Sequence, residues 1–156
     1  MPGGGGAVPG SVPFGPVIRA MRAYQRAGAG ITFVVTLDSE VVGQLSISDI
    51  SGGALRSASI GYWISRGVAG QGVIPVAVAL AIDYAFAELR LHRIEICIRP
   101  ENEASLRVVQ KLQMRYEGRR ERYIHIAGNW RDHDCFAVTV EDVPRGMLDR
   151  IGAPTL

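Results

Sequence analysis

Gly70 and Gly72, in "SRGVAGQGVIP", place a Gly-x-Gly turn directly ahead of an apolar helical run. Glycine admits an anion that a Cβ would keep away. The first amides of a helix, at the positive end of its dipole, hold phosphates. The neighbouring residues narrow the choice of phosphate. A dinucleotide turn needs G-x-G-x-x-G, but the sixth position is Pro75, and the Gly-Lys-Ser/Thr of a triphosphate loop is absent. A bare Gly-x-Gly also serves as a tight turn for helix packing, so both uses stay open. His125, Asp132, His133, Asp134 and Cys135 crowd one hairpin. Strand alternation sends His133 and Asp134 to opposite faces, and no spacing fits a zinc template, so no metal is expected. Cys97, between Ile96 and Ile98, reads as a buried inert thiol.

The elements that must position these residues follow from patterning. At 156 residues one domain is expected. The apolar share of 47% and charged share of 21% are those of an ordinary globular protein. A net charge of +2 argues for neither nucleic acid nor an anionic membrane. All but Lys111 of the 17 basic residues are Arg. Cys97 and Cys135 form no C-x-x-C pair and follow no signal peptide, which predicts free thiols in a reducing cytoplasm. The apolar run from Val73 to Ile82 is shorter than the roughly 20 residues of a membrane span and reads as a buried helix.

Residues 1–16, "MPGGGGAVPGSVPFGP", are rich in Gly and Pro and are expected to be a disordered tail, with the domain proper at 17–150. A short Arg-rich helix is expected from Val17 to Ala27. Strands are expected at "ITFVVTL", "VVGQLSISDI", "ASIGYWI" and "HRIEICI", with a turn at Asp38-Ser39-Glu40 after the first. One helix is expected from Val73 to Leu91, Pro75 being allowed in a first turn. A second runs from an Asn102 cap to about Leu112. "RYEGRRERYIHI" and "NWRDHDCFAVTV" form a hairpin about Ala127-Gly128-Asn129. The order β-β-β-α-β-α-β-β is mixed α+β, with one parallel crossover through the first long helix.

Three separated motifs occur in order: "GYWISRGVAGQGV", "RPENEAS" and "YEG", followed by the hairpin "NWRDHDCFAV". Over about Ile31 to Val140 the chain resembles the GNAT acetyltransferase superfamily, and within it the RimJ/RimL type of ribosomal-protein N-terminal acetyltransferases. The resemblance implies a mostly antiparallel sheet with splayed central strands, flanking helices and acetyl-CoA as co-substrate. It implies that the pyrophosphate takes N–H groups of Ala69, Gly70, Gln71, Gly72, Val73 and Ile74. The pantetheine arm would pair with the backbone of Trp63, Ile64 and Ser65, an amide near Ile64 would polarise the thioester, and Asn102 would reach the arm. By the same resemblance Glu117 is the general base and Ser105 the acid beside the sulfur. Each has a plain alternative: Ser105 as a first-turn helix hydroxyl, Glu117 as an ion-pair partner of Arg119 or Arg122. Tyr116 and Tyr123 are reserve acids. The chain departs from the family at Gly67, where Gln or Arg is frequent, and at Gln113, where Gly is usual.

Relatives usually begin with a strand and one or two helices that wall the acceptor site. Here that element reads as shortened. "ITFVVTL" or its hairpin partner would then be an unprotected sheet edge, inviting a homodimer or aggregation. The expected reaction is acetyl transfer to a protein N-terminal amine, that of a ribosomal protein by resemblance. A small amine such as an aminoglycoside, with Asp49, Glu117 and Asp132 as acceptor carboxylates, is a second reading. A non-catalytic CoA-binding or protein-binding relative is a third. No nucleic acid or membrane partner is expected.

Overall fold

Ile31, Phe33 and Val35 are buried and alternate with partly exposed Thr32, Val34 and Thr36. The same period of two runs through the strands Gly30–Leu37 (β2), Glu40–Ser51 (β3), Ser57–Ile64 (β4) and Arg93–Ile98 (β5). Such alternation covers one sheet face and leaves the other wetter. The computed structural model describes residues 22–26 and 30–153. Two more strands, Arg115–Ile126 (β6) and Asn129–Thr139 (β7), and a first strand, Arg22–Arg26 (β1), complete a seven-stranded sheet of order β1-β2-β3-β4-β5-β7-β6. Every pairing is antiparallel except β4 with β5. The expected mixed α+β class holds.

The β2–β3 and β6–β7 hairpins each close on two left-handed residues, Asp38 and Ser39 (φ 50° and 69°), then Ala127 and Gly128 (φ 49° and 84°). That is the twist a two-residue turn needs. Helix Val73–Ala87 (α1) makes the right-handed crossover from β4 to β5. It starts after Gly72 in a left-handed conformation, and Pro75 falls in the turn whose amides have no helical acceptor. It ends four residues before the expected Leu91, because Arg90 turns left-handed (φ 56°) and Leu91 N–H returns to the Ala85 carbonyl. Helix Glu103–Lys111 (α2) starts on Asn102, whose side chain accepts from Ser105 N–H. A short helix, Met147–Arg150 (α3), has its first amides held by Asp83 of α1, from Met147 at 2.6 Å and Leu148 at 3.1 Å.

The helices share one sheet face. Leu45, Ile47, Ile94, Ile96 and Val138 are fully or almost fully buried with Val78, Ile82, Val109, Leu112 and Met147. That contiguous cluster is the core. The opposite face, with Thr32, Gln44, Ser46, Ser59, Trp63, Arg93 and Glu95, is only partly covered among the described residues.

The expected Val17–Ala27 helix is corrected: Arg22–Arg26 is a strand, paired in register with β2 from Arg22↔Val34 to Arg26↔Gly30. Ladder formation outweighs the helix propensity of Arg, Ala and Gln. β2 is therefore an inner strand from Gly30 to Val34, and over that stretch the expected unprotected edge is corrected. The front element contributes a strand after all, joined to β2 through residues 27–29. The expected tail 1–16 lies outside the described residues.

Candidate functional site

β4 and β5 are hydrogen-bonded only from Ser57↔Arg93 to Ser59↔Glu95. β4 then continues to Ile64 paired with β3 alone, Ile60↔Ile47 through Ile64↔Gly43. Its β5-side backbone groups from Ile60 onward therefore face a gap. Such a free edge receives an extended amide-bearing ligand as it would a strand. Three cavities of about 200 Å³ each follow this gap and share walls.

The outermost cavity, about 210 Å³, lies against the loop before α1 and includes Ala69, Gly70, Gly72, Val73 and Ile74. The amides of these five residues have no acceptor among the described residues, whereas Gln71 N–H is bonded to Val68 O at 3.3 Å. Gly70 and Gly72 are left-handed, φ 83° and 80°. Arg107 and Lys111, one turn apart on α2, line the same cavity, and a Cβ on Gly72 would stand 3.6 Å from Lys111 Nζ. Free amides, a helix dipole and two cations make an anion cradle. Neither cation was singled out by sequence reading. Their i, i+4 spacing and the uniqueness of Lys111 were the available signal.

The middle cavity carries Tyr62, Trp63, Ile64, Asn102 and Ser105. Of the expected backbone partners, Ile64 turns to the open edge, whereas Trp63 shares the parity of Ser65 and turns its carbonyl toward Gly43 of β3. Ser65 N–H is already bonded to Val42 O at 2.7 Å and its carbonyl accepts from Val68. Asn102 spends its Oδ1 on the α2 cap. Tyr62, also unread in sequence, donates its hydroxyl to the Ser105 carbonyl at 3.1 Å and so ties α2 to β4 across the gap. Burial pushes its phenol well above the usual range.

The innermost cavity is lined by Gly61 and Tyr62 of β4, by Cys97 and Arg99 beyond the β4–β5 pairing, and by Ser105 and His133. Cys97 is half-buried, not fully buried, and touches Cys135 at Sγ–Sγ 2.8 Å. Burial first, and the Cys135 contact second, push its thiol up to about 12, so it carries no thiolate at neutral pH.

Ser105 lines both the middle and the innermost cavity. Glu117 does not join it. Glu117 sits in a bulge between Tyr116 and Gly118 and its carboxylate is gripped by Arg93, at Arg93 Nη1–Oε2 3.1 Å and a shorter Nη2 contact, with Arg115 at 3.4 Å. Arg93 holds the carboxyl below the usual carboxylate range. Glu117 lines none of the three cavities. Its partners are Arg93 and Arg115, not the expected Arg119 or Arg122. Arg119 pairs with Asp134, and Tyr116 also donates to Asp134. Tyr123 stacks under Arg120 and edge-on to His133. No cluster of three or more metal-ligating side chains occurs among the described residues. No helix there is long and apolar enough to cross a membrane.

A model of the acetyltransferase (GNAT) domain family matches residues 16–115. The probable N-acetyltransferase YjcK of Bacillus subtilis is 40% identical over 67% of this chain and 58% of its own length. The ribosomal protein uS5-alanine N-acetyltransferase of Escherichia coli is 30% identical over 67% of this chain and 54% of its own. Among solved structures, Mycobacterium smegmatis RimJ in complex with CoA-disulfide superimposes with TM-score 0.76 at 42% identity, over 80% of this chain and 60% of that one. The chain thus spans somewhat more than half the length of the relatives it matches.

Proposed function

Because the chain belongs to the acetyltransferase (GNAT) domain family, we propose that it transfers an acetyl group from acetyl-CoA to an amine, the α-amino group of a protein N-terminus, in the cytoplasm. The observation that carries the choice of amine is the charge of the innermost cavity. Its lining holds Arg99 and no carboxylate. A polycationic small amine such as an aminoglycoside needs acidic walls to offset its desolvation. The three carboxylates expected for that purpose, Asp49, Glu117 and Asp132, line none of the cavities. Asp132 instead accepts from Arg122 N–H at 2.8 Å. A single amine on a peptide suits the site, and a ribosomal protein is the acceptor carried over from the relatives.

The division of labour follows the three cavities. The free amides of Ala69, Gly70, Gly72, Val73 and Ile74, with Arg107 and Lys111, hold the pyrophosphate end. The open β4 edge at Ile64, with Asn102, orients the pantetheine amides. When bound, acetyl-CoA supplies an activated acyl group in the innermost cavity. Ile64 N–H polarises its carbonyl, and Ser105 Oγ donates to the departing sulfur. Glu117 serves as the brace of Arg93 and Arg115.

Thermal shift with acetyl-CoA, CoA and ATP tests the ligand class: the first two should stabilise and ATP should not. Thiol release with an N-terminal peptide against an aminoglycoside tests the acceptor. Equal or faster turnover with the aminoglycoside would refute the peptide reading.

A further inference from the structure

The proposed reaction needs a group that takes a proton from the ammonium form of the acceptor, and the innermost cavity offers few. Arg99 is a cation, and Asn102 and Ser105 are neutral. Burial raises both the Tyr62 phenol and the Cys97 thiol, so each keeps its proton. His133 is the remaining titratable residue on that wall. It is 4% exposed, and its Nδ1 lies 3.0 Å from the Arg131 carbonyl oxygen. A carbonyl only accepts, so Nδ1 carries the hydrogen and the neutral ring leaves a lone pair on Nε2. That Nε2 has no partner, yet it is not sealed. Among the described residues, the one fully buried side-chain nitrogen or oxygen without a hydrogen bond is Arg131 Nε. The ring is fixed at one nitrogen and unpaired among the described residues at the other, on the wall of the cavity. Tyr123 braces it edge-on at 6.0 Å.

We infer that His133 is the general base of this site, receiving at Nε2 the proton of the acceptor ammonium inside the cavity it shares with Ser105. This rests on the acetyl-transfer reading above. In the step, the nitrogen–carbonyl carbon bond forms and the carbon–sulfur bond breaks, with the electron pair leaving on sulfur. One ammonium proton passes to His133 Nε2 and on to solvent. The second ends on the thiolate, relayed by Ser105 Oγ. The titratable and charged groups that face the ring are Tyr62 from β4, Cys97 and Arg99 from the end of β5, Arg120 and Tyr123 from β6, and Cys135 on its own strand. Glu95 of β5 stands behind Arg120, to which it is paired at 3.5 Å.

His133→Asn keeps a donor near the Nδ1 position for the Arg131 carbonyl and removes Nε2. With an N-terminal peptide, kcat should fall about tenfold or more near neutral pH, with KM for acetyl-CoA unchanged. Without a base, only amine already deprotonated in water reacts, and an α-amine has a pKa of about 7.7–8.0. The deficit should therefore be largest below about pH 7.5 and shrink toward pH 9. A loss equal at all pH values, or no loss, in a variant that still binds acetyl-CoA would overturn the inference and leave the acetyl-transfer reading standing. Wild-type protein that binds acetyl-CoA and acetylates no amine would overturn both. Should the variant not fold, the ring of His133 in the wild type, one of three histidines, supplies the readout. Its NMR signals must move when acetyl-CoA and a product peptide bind, and an unmoved ring overturns the inference.

Discussion

At the scale of single residues, Gly72 bears the sharpest test of the anion cradle. A side chain there must accept φ 80°, which costs about 1–2 kcal/mol for an L-residue, and its Cβ would stand 3.6 Å from Lys111 Nζ. Gly72→Glu places a carboxylate where the phosphate belongs and lets it capture that lysine. The fold should survive while CoA affinity falls about tenfold or more, as for a lost set of charged hydrogen bonds. Calorimetry on the folded variant decides it, and unchanged affinity would remove the cradle. Ser105 and Glu117 should separate in the same way. Ser105→Ala should slow thiol release about tenfold or more at every pH, because it acts on the leaving group. Glu117→Gln, removing a brace outside the cavities, should leave the pH profile of turnover in place and lower thermal stability instead. If Glu117→Gln abolishes the acid-side activity, the base has been assigned to the wrong residue. Glu117 looked catalytic in sequence because "YEG" matches a motif. The bulge that turns its carboxylate onto Arg93 leaves no mark in a linear pattern.

At the scale of elements, the caps decide how the secondary structure ends. Asp142 accepts from Thr139 N–H at 2.9 Å and hydroxyl at 3.1 Å and pairs with Arg115 at 3.0 Å, closing β7 onto its 3-10 turn. The Thr139 amide first, with Arg115 after it, holds the Asp142 carboxyl below its usual range. A carboxyl depressed in the folded state lends stability above its unfolded pKa of about 3.9 and loses it as pH falls through the folded value. Asp142→Asn should cost about 0.5–2 kcal/mol at pH 7 and little by pH 2–3. Urea titrations at both pH values check this, and a constant cost would show that charge is not the cause. What was legible at this scale was period: strands β2 to β7 and helices α1 and α2 follow from alternation, the glycine turn before Val73 and the cap at Asn102, while the short α3 does not. Gln113 does take a left-handed conformation (φ 54°), at the position where the resemblance led to an expectation of Gly. β1 was not legible, because "RAYQR" has no apolar alternation to mark it as a strand. His133 was visible as a strand residue, but nothing local reveals that β4 and β5 part beside it.

At the scale of the whole molecule, the sheet has two edges of different kinds. β6 forms one, and its run Arg119, Arg120, Glu121 and Arg122 presents charge to any approaching strand. At the other end β1 covers β2 from Gly30 to Val34, a stretch in which Ile31, Phe33 and Val34 carry no charge. If β1 is what keeps β2 from pairing with a second chain, preventing its docking should create the very edge that the sequence led us to expect. Replacing Ala23 and Tyr24 together by Pro does so. Adjacent strand residues point their amides in opposite directions, so one of the two prolines must remove a donor facing β2. The variant should self-associate at concentrations where the parent does not. Its acetyl-CoA thermal shift should persist, since the cradle lies beyond β3 and β4 from the disturbed edge. Acetyl transfer should weaken more than binding, because a loosened front holds the acceptor less well and proximity supplies much of the rate. Light scattering during size exclusion, run beside the thiol-release assay, reads both effects. A variant that stays as monodisperse and as active as its parent would mean that β1 neither guards the edge nor supports the acceptor side.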